Sequence, residues 1–213
     1  MTYRPNNYSD LPARIEGERV ILRPLSQFDA PALSRLGGDY VVASQTASLP
    51  SPFPLLAAEL SLAQIDAKAR AGVLFPYAIT KDGGDMIGLI SLIRKDIDSM
   101  FELGYWLGRP YWGKVYGYDA ARSLIAAAVT YLGVRRIHAR VLKENTASLA
   151  LLNKLGFQYT GADHKTFIMA RMAKAEGWDL CWNYMAQNKV ASPIASQKQS
   201  QLLPFRQKQA TRP

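Results

Sequence analysis

Residues 102–122 read Glu102-Leu103-Gly104-Tyr105-Trp106-Leu107-Gly108-Arg109-Pro110-Tyr111-Trp112-Gly113-Lys114-Val115-Tyr116-Gly117-Tyr118-Asp119-Ala120-Ala121-Arg122. The stretch Phe101–Leu107 has the composition of a strand. A glycine-bearing turn follows, and then a helix over about Asp119–Leu132, with Leu124, Ala127, Ala128, Tyr131 and Leu132 at helical spacing. Backbone N–H groups at such a turn converge on one place, where the helix dipole favours negative charge. A pyrophosphate suits that place, with Lys114 and Arg122 as nearby cations. Taken alone, the pattern serves equally well as an ordinary structural turn.

Downstream, Arg136–Leu142 reads as a strand, and a polar loop leads to Asn145, which opens a helix over Thr146–Leu155 ended by Gly156. Locally Asn145 needs no role beyond an N-cap, with Ser148 in the exposed first turn. Phe167–Met169 and Leu180–Met185 read as closing strands. Upstream, Val20–Pro24 reads as a first strand. Ser26-Gln27-Phe28-Asp29 fits a capping box before a helix through Leu33 and Leu36 that stops at Gly37-Gly38. Pro50, Pro52 and Pro54 punctuate an irregular segment ahead of a helix over Leu55–Ala71. Phe75–Thr80 and Met86–Ile93 flank the hairpin turn Lys81-Asp82-Gly83-Gly84-Asp85. Helices, an antiparallel run of strands, then strand–helix–strand–helix–strand predict a mixed, mostly antiparallel α/β sheet with flanking helices.

The chain has 213 residues, 48% of them hydrophobic, enough for one sizeable core. We expect an extended leader over residues 1–14, one domain over 15–186 and a basic flexible tail over 187–213. The tail holds five of the basic residues and no acidic one, leaving the body mildly basic with 21 basic and 17 acidic residues. That suits a phosphorylated ligand or an acidic surface partner; nucleic acid is not an expected partner. The single cysteine, Cys181, allows no internal disulfide and fits a buried strand position; a catalytic thiol is the other reading. His138 and His164 lack ligand spacing, so no metal is expected. The polar opening has no signal-peptide pattern and no apolar run spans a bilayer, so the expectation is a cytoplasmic protein.

Taken together, the two strand–helix segments resemble the GNAT superfamily of N-acetyltransferases. The resemblance is to the Rim-type branch, which includes the ribosomal-protein N-terminal acetyltransferases. It is carried by Glu18–Pro24, Glu102–Gly108, Trp112-Gly113-Lys114, Asn145-Thr146-Ala147-Ser148 running to Leu155-Gly156-Phe157, and Glu176-Gly177-Trp178-Asp179 ahead of the last strand. It implies a GNAT fold and acetyl-CoA as donor, with coenzyme A as product. It further implies that the Glu102–Leu107 and Arg136–Leu142 strands splay apart. Pantetheine then bonds to the backbone near Tyr105, Trp106 and Leu107. The turn Gly113, Lys114, Val115, Tyr116, Gly117, Tyr118 cradles the pyrophosphate, and the Asn145 amide holds the pantetheine. Ser148 matches a serine proposed as general acid toward the leaving thiolate, and Glu102 is the candidate base. No carboxylate in Phe167–Lys174 matches the base that some relatives place there.

One position departs from the resemblance. Val115 stands where relatives carry a glycine, and a β-branched residue resists positive φ. Either the turn takes α-type angles or cofactor affinity has fallen. The implied acceptor is an amine, foremost a protein N-terminus; a small-molecule amine or antibiotic is the alternative, and a non-catalytic acyl-CoA-binding module is the rival from another class. The resemblance leaves monomer and homodimer open. Acceptor loops fall at Tyr40–Leu56 and His164–Glu176.

Overall fold

The computed structural model describes residues 11–95 and 100–185; the expected tail and the first ten residues of the leader lie outside the described residues. Residues 11–14 pack on the body. Leu11 is buried in the main core, and the Tyr77 hydroxyl donates to the Pro12 carbonyl at 2.7 Å.

Eight strands form one sheet: β1 (Ile15–Glu16), β2 (Ile21–Arg23), β3 (Leu74–Thr80), β4 (Met86–Arg94), β5 (Met100–Leu107), β6 (Arg136–Leu142), β7 (Gln158–Ile168) and β8 (Ala173–Asn183). They lie in the order β1-β2-β3-β4-β5-β6-β8-β7, and every neighbouring pair is antiparallel except β5 with β6. The mixed, mostly antiparallel sheet expected from the sequence is therefore present. The parallel pair is short. Met100, Phe101 and Glu102 face Arg136, Ile137 and His138, and the pairing then stops. Leu103–Leu107 continue along β4 on their other side, from Leu92 to Gly88. The two central strands thus splay beyond Glu102.

Alternation along the strands divides the core between the two faces of the sheet. Phe75, Tyr77 and Ile79 of β3 and Phe101 and Leu103 of β5 pack with α4 (Tyr116–Leu132) and α5 (Thr146–Lys154), through Ala120, Ala121, Leu124, Ala128 and Leu152. The alanines let α4 lie close to the sheet. Ala78, Met86 and Trp106 face the opposite way. They meet α1 (Ala30–Ala32), the π-helical turn Leu33–Gly37, α2 (Tyr40–Ala43) and α3 (Leu55–Arg70).

Asp119 fixes α4 against the start of the domain. It is buried, and it accepts backbone hydrogen bonds from Glu18 (3.2 Å), Arg19 (2.7 Å) and Val20 (3.1 Å). A buried carboxylate is stable only when its lone pairs are filled in this way.

Three element boundaries differ from expectation. The helix expected from Asp119 begins at Tyr116, directly after Val115, whose left-handed backbone caps it. The closing strands are each 11 residues long rather than short, and Glu176-Gly177-Trp178-Asp179 lies inside β8. β7 is the outer strand of the sheet and mostly exposed, so it carries no apolar alternation by which a sequence reading finds a strand.

Candidate active site

The turn ahead of α4 holds its shape by unusual backbone angles. Gly113 has φ 70°, and Val115, the residue that caps α4, has φ 67° and ψ −5°, in the left-handed region. Valine there is strained by roughly 1–2 kcal/mol, because its Cβ crowds the following carbonyl. The turn has not taken right-handed α angles: Val115 adopts the left-handed conformation that glycine adopts freely. No side chain caps α4. The N–H groups of its first turn therefore have no intrahelical partner and face outward where the dipole is positive. Gly117, inside that turn, sits where a Cβ would meet Leu151 Cδ1 at 3.1 Å and Leu107 Cδ1 at 3.3 Å. The missing side chain lets the helix start close to β5 and α5.

The end of β5 is held by the turn itself. The Trp112 indole N–H donates to the Leu107 carbonyl at 2.7 Å, which occupies one of the backbone groups the resemblance offers to pantetheine. Asn145 caps α5 with its side-chain oxygen, accepting from the Ser148 N–H at 3.0 Å. The Asn145 Nδ2 donor is thereby left to point elsewhere. In the first turn of α5, Ser148 Oγ lies 2.7 Å from the Tyr105 hydroxyl, and either can donate. Burial pushes the Tyr105 phenol up to about 12, against the opposing pull of its bond to Ser148. It stays protonated across the physiological range.

These elements enclose one cleft of about 600 Å³. Tyr105, Trp106, Leu107, the whole turn Gly113–Tyr118, Asn145 and Ser148 all line it. So do Val41, Val42, Gln45 and Thr46 from α2 and its exit, inside the expected acceptor loop Tyr40–Leu56, and two residues that sequence reasoning did not single out, Glu144 and Lys154, whose ammonium sits 4.4 Å from the centre of the Tyr118 ring. The two expected acceptor loops touch each other, the Met169 N–H donating to the Ala47 carbonyl at 3.3 Å, but of their described residues only Val41, Val42, Gln45 and Thr46 of the first line the cleft.

Two expected participants lie elsewhere. Arg122 is committed to Glu18 at 2.7 Å and Asp119 at 3.2 Å, and it does not line the cleft. Glu102 is also outside the lining. Its carboxylate bonds to Lys95 at 2.8 Å and to Arg140 at 3.0 Å. Burial alone would raise its proton affinity, but the two cations outweigh burial and hold Glu102 below the usual carboxylate range. That makes it a weak proton acceptor. Only geometry across the sheet exposes this, because Lys95 and Arg140 come from either side of β5. The one carboxylate in the described lining, Glu144, is ion-paired with Arg171 of the β7–β8 turn.

The sequence model of the Acetyltransferase (GNAT) domain matches residues 19–158, about two thirds of the chain. The chain belongs to the GNAT acetyltransferase family. Within it, the chain is 40% identical over 84 residues to the uncharacterized N-acetyltransferase p20 of Bacillus licheniformis, covering 39% of this chain and 47% of that protein. It spans about half the length of the curated relatives it matches. Among solved structures, Mycobacterium smegmatis RimJ in complex with CoA-disulfide superposes with a TM-score of 0.73 at 21% identity, covering 83% of this chain and 90% of that one. The microcin C7 self-immunity acetyltransferase MccE, in complex with acetyl-CoA and AMP, superposes at 0.69 with 16% identity, over 78% and 93% of the two chains. At those identities the likeness is one of fold.

Acetyl-CoA is the donor that GNAT acetyltransferases use, and the cleft fits it. Uncapped N–H groups of α4 and the Lys114 ammonium suit a pyrophosphate, and unpaired β5 backbone suits an amide-bearing arm. Among the described residues no helix is long and apolar enough to cross a membrane, and no cluster of three or more His, Cys, Asp or Glu could hold a metal.

Proposed function

We propose that this GNAT domain transfers the acetyl group of acetyl-CoA to an amine, and that the acceptor is the α-amine of a protein N-terminus. The observation that carries the reading is convergence: the uncapped end of α4, the splayed backbone of β5 and the Tyr105–Ser148 hydroxyl pair all open into one cleft. Acetyl-CoA supplies an activated thioester. The chain's own groups do the rest. N–H groups of β5 beyond Glu102, released from pairing with β6, are placed to polarise a carbonyl in the gap. The Asn145 Nδ2 and the α4 turn orient the donor. Ser148 Oγ is placed to donate a hydrogen bond to the departing sulfur while it accepts one from the Tyr105 hydroxyl. With its phenol raised to about 12, Tyr105 is a weaker acid than a thiol, so the pair stabilises the thiolate by hydrogen bonding and the proton that ends on sulfur is the one the amine gives up.

The rival reading, a non-catalytic acyl-CoA module, drew its motivation from Val115. The left-handed φ of that residue, the region glycine adopts freely, supports a turn that holds the donor despite the valine. The test is direct. Purified protein is incubated with acetyl-CoA and a panel of peptides and small amines, and thiol release and product mass are followed. Turnover on peptide α-amines is expected. Acetyl-CoA binding without turnover on any amine would restore the rival.

A further inference from the structure

In the described lining of the cleft the charged side chains are Lys114, Glu144 and Lys154. Glu144 is neutralised by Arg171. Lys114 and Lys154 have no ion pair among the described residues, whereas Arg122, Lys143 and Arg171 are all paired. The cleft therefore carries surplus positive charge from two separate helices.

Lys154 is the last residue of α5. A lysine in a final helical turn usually answers to the helix's own terminal carbonyls. Here the side chain crosses instead to α4, where its ammonium lies 4.4 Å from the centre of the Tyr118 ring. The ring attracts the cation without neutralising it. An ammonium held in place yet unpaired is ready for an anion.

The same helix fixes where along the cleft this cation stands. Ser148, Leu151 and Lys154 follow one another at intervals of three residues, about 4.5 Å of rise each, on one side of α5. Each meets a different part of the site. Ser148 bonds to the Tyr105 hydroxyl. Leu151 Cδ1 stands where it would meet a Cβ on Gly117 at 3.1 Å, in the first turn of α4. Lys154 reaches Tyr118. The order along α5 is thus hydroxyl pair, α4 N-terminus, cation. Acetyl-CoA carries its groups in the matching order: thioester, pantetheine arm, pyrophosphate, and then a ribose bearing a 3′-phosphate. The uncapped N–H groups of α4 and the Lys114 ammonium answer the pyrophosphate. That leaves Lys154 for the phosphate beyond it. A phosphate monoester carries about −1.5 to −2 charge at neutral pH and three acceptor oxygens, which suits a point-charge donor such as lysine.

We propose that Lys154, held by the ring of Tyr118, recognises the ribose 3′-phosphate, so that this chain distinguishes acetyl-CoA from its 3′-dephospho form. The inference rests on the donor half of the proposed reaction and is independent of which amine accepts the acetyl group.

Calorimetric titration of CoA and of 3′-dephospho-CoA into the full chain tests this. Wild type is expected to bind CoA about five- to tenfold more tightly, the range between an exposed ion pair and a charge-assisted hydrogen bond. The preference should shrink as salt is raised. Lys154→Gln should abolish it by weakening CoA alone, and Lys154→Arg should retain it. Lys114→Gln should weaken both ligands equally, because the pyrophosphate is common to them. Tyr118→Leu keeps the charge but removes the ring, and should reduce the preference about twofold. Equal affinity of wild type for the two ligands overturns the inference while leaving acetyl-CoA as the donor. So does a Lys154→Gln variant that weakens both ligands alike, which would assign Lys154 to the pyrophosphate. An unchanged preference in Tyr118→Leu overturns the part given to the ring. Binding of neither ligand overturns the fit of the cleft to its donor and this inference with it.

Discussion

The hydroxyl of Tyr105 on β5 and the hydroxyl of Ser148 on α5 lie 2.7 Å apart, joining two elements 43 residues distant in sequence across the floor of the cleft. If this pair stabilises the leaving sulfur by hydrogen bonding, the two residues differ in what their loss does. Ser148→Ala removes the group that touches sulfur and is expected to lower kcat about 10²-fold, the lower end of general-acid effects. Tyr105→Phe leaves the serine without its hydrogen-bond donor and is expected to lower kcat about tenfold. Both should leave acetyl-CoA affinity within about twofold of wild type. Stopped assays with a peptide acceptor, alongside titration of acetyl-CoA, check both arms.

The same tyrosine predicts an alkaline limit to stability. Its folded pKa, raised by burial to about 12, exceeds the usual value of 10.0. The folded state therefore holds the proton longer than the unfolded chain. The sign follows: the contribution is full below about pH 10 and is lost as pH climbs toward 12. Unfolding by urea at intervals across that window should show wild type losing on the order of 2–3 kcal/mol more than Tyr105→Phe. Parallel curves for the two proteins would contradict the assignment.

Asn145 uses its two ends differently, and two substitutions separate them. Asn145→Asp keeps an oxygen to accept from the Ser148 N–H, so thermal stability should hold. It removes the Nδ2 donor, so acetyl-CoA should bind several-fold more weakly, a loss of about 0.5–1.5 kcal/mol. Asn145→Ala should show the same weakening and lose a further ~1 kcal/mol of stability with the cap. Calorimetric titration and melting curves on the three proteins decide it.

Val115→Gly should stabilise the fold. Relief of left-handed strain, about 1–2 kcal/mol, exceeds the greater unfolded-state entropy of glycine, about 0.4–1 kcal/mol. The net gain of up to ~1 kcal/mol corresponds to a melting temperature about 2–4 °C higher. Because Val115 already holds the left-handed angles that glycine would adopt, acetyl-CoA affinity should change by less than about twofold. A large gain in affinity would mean that the valine side chain itself, about half exposed at the cleft, obstructs the donor.

Asp119→Ala should be the most destabilising single change outside the apolar core. It strips the acceptor from three backbone N–H groups at once, each of which is unfavourable by about 1–3 kcal/mol when orphaned. A loss of roughly 3 kcal/mol or more, read by urea denaturation, is expected. A loss under about 1 kcal/mol would show that water replaces the carboxylate there.

Much of the architecture was legible in the sequence because the strands that build its centre announce themselves. The runs Phe75–Thr80, Met86–Ile93 and Phe101–Leu107 are apolar and turn-bounded, and each falls within a residue or two of β3, β4 and β5. The turn Gly113–Tyr118, Asn145 and Ser148 were legible through their resemblance to the family, and all line the cleft. What escaped was set by long-range geometry. Nothing local in Glu102 tells of Lys95 and Arg140 closing on it, and nothing in Tyr105 tells of Ser148. Gln45 sits in a polar stretch whose one buried oxygen only the folded chain reveals. The exposed strand β7 hid for the opposite reason: its side chains answer to solvent, not to a core, so the pattern that betrays a strand is absent.

The three-residue joint between β5 and β6 means that the sheet has an unmet edge in its interior rather than only at its rims. An outer edge is a standing invitation to any passing strand, and proteins guard theirs with charge or bulges. This inner edge is guarded by its surroundings, because α4 and α5 cover one face and the flanking strands cannot part far while Met100–Glu102 stay zipped to Arg136–His138. Past Glu102 the N–H and C=O groups of β5 that would have met the next strand are left for a guest that is not a strand, and on the proposed reading the sheet's own ladder becomes part of the binding site.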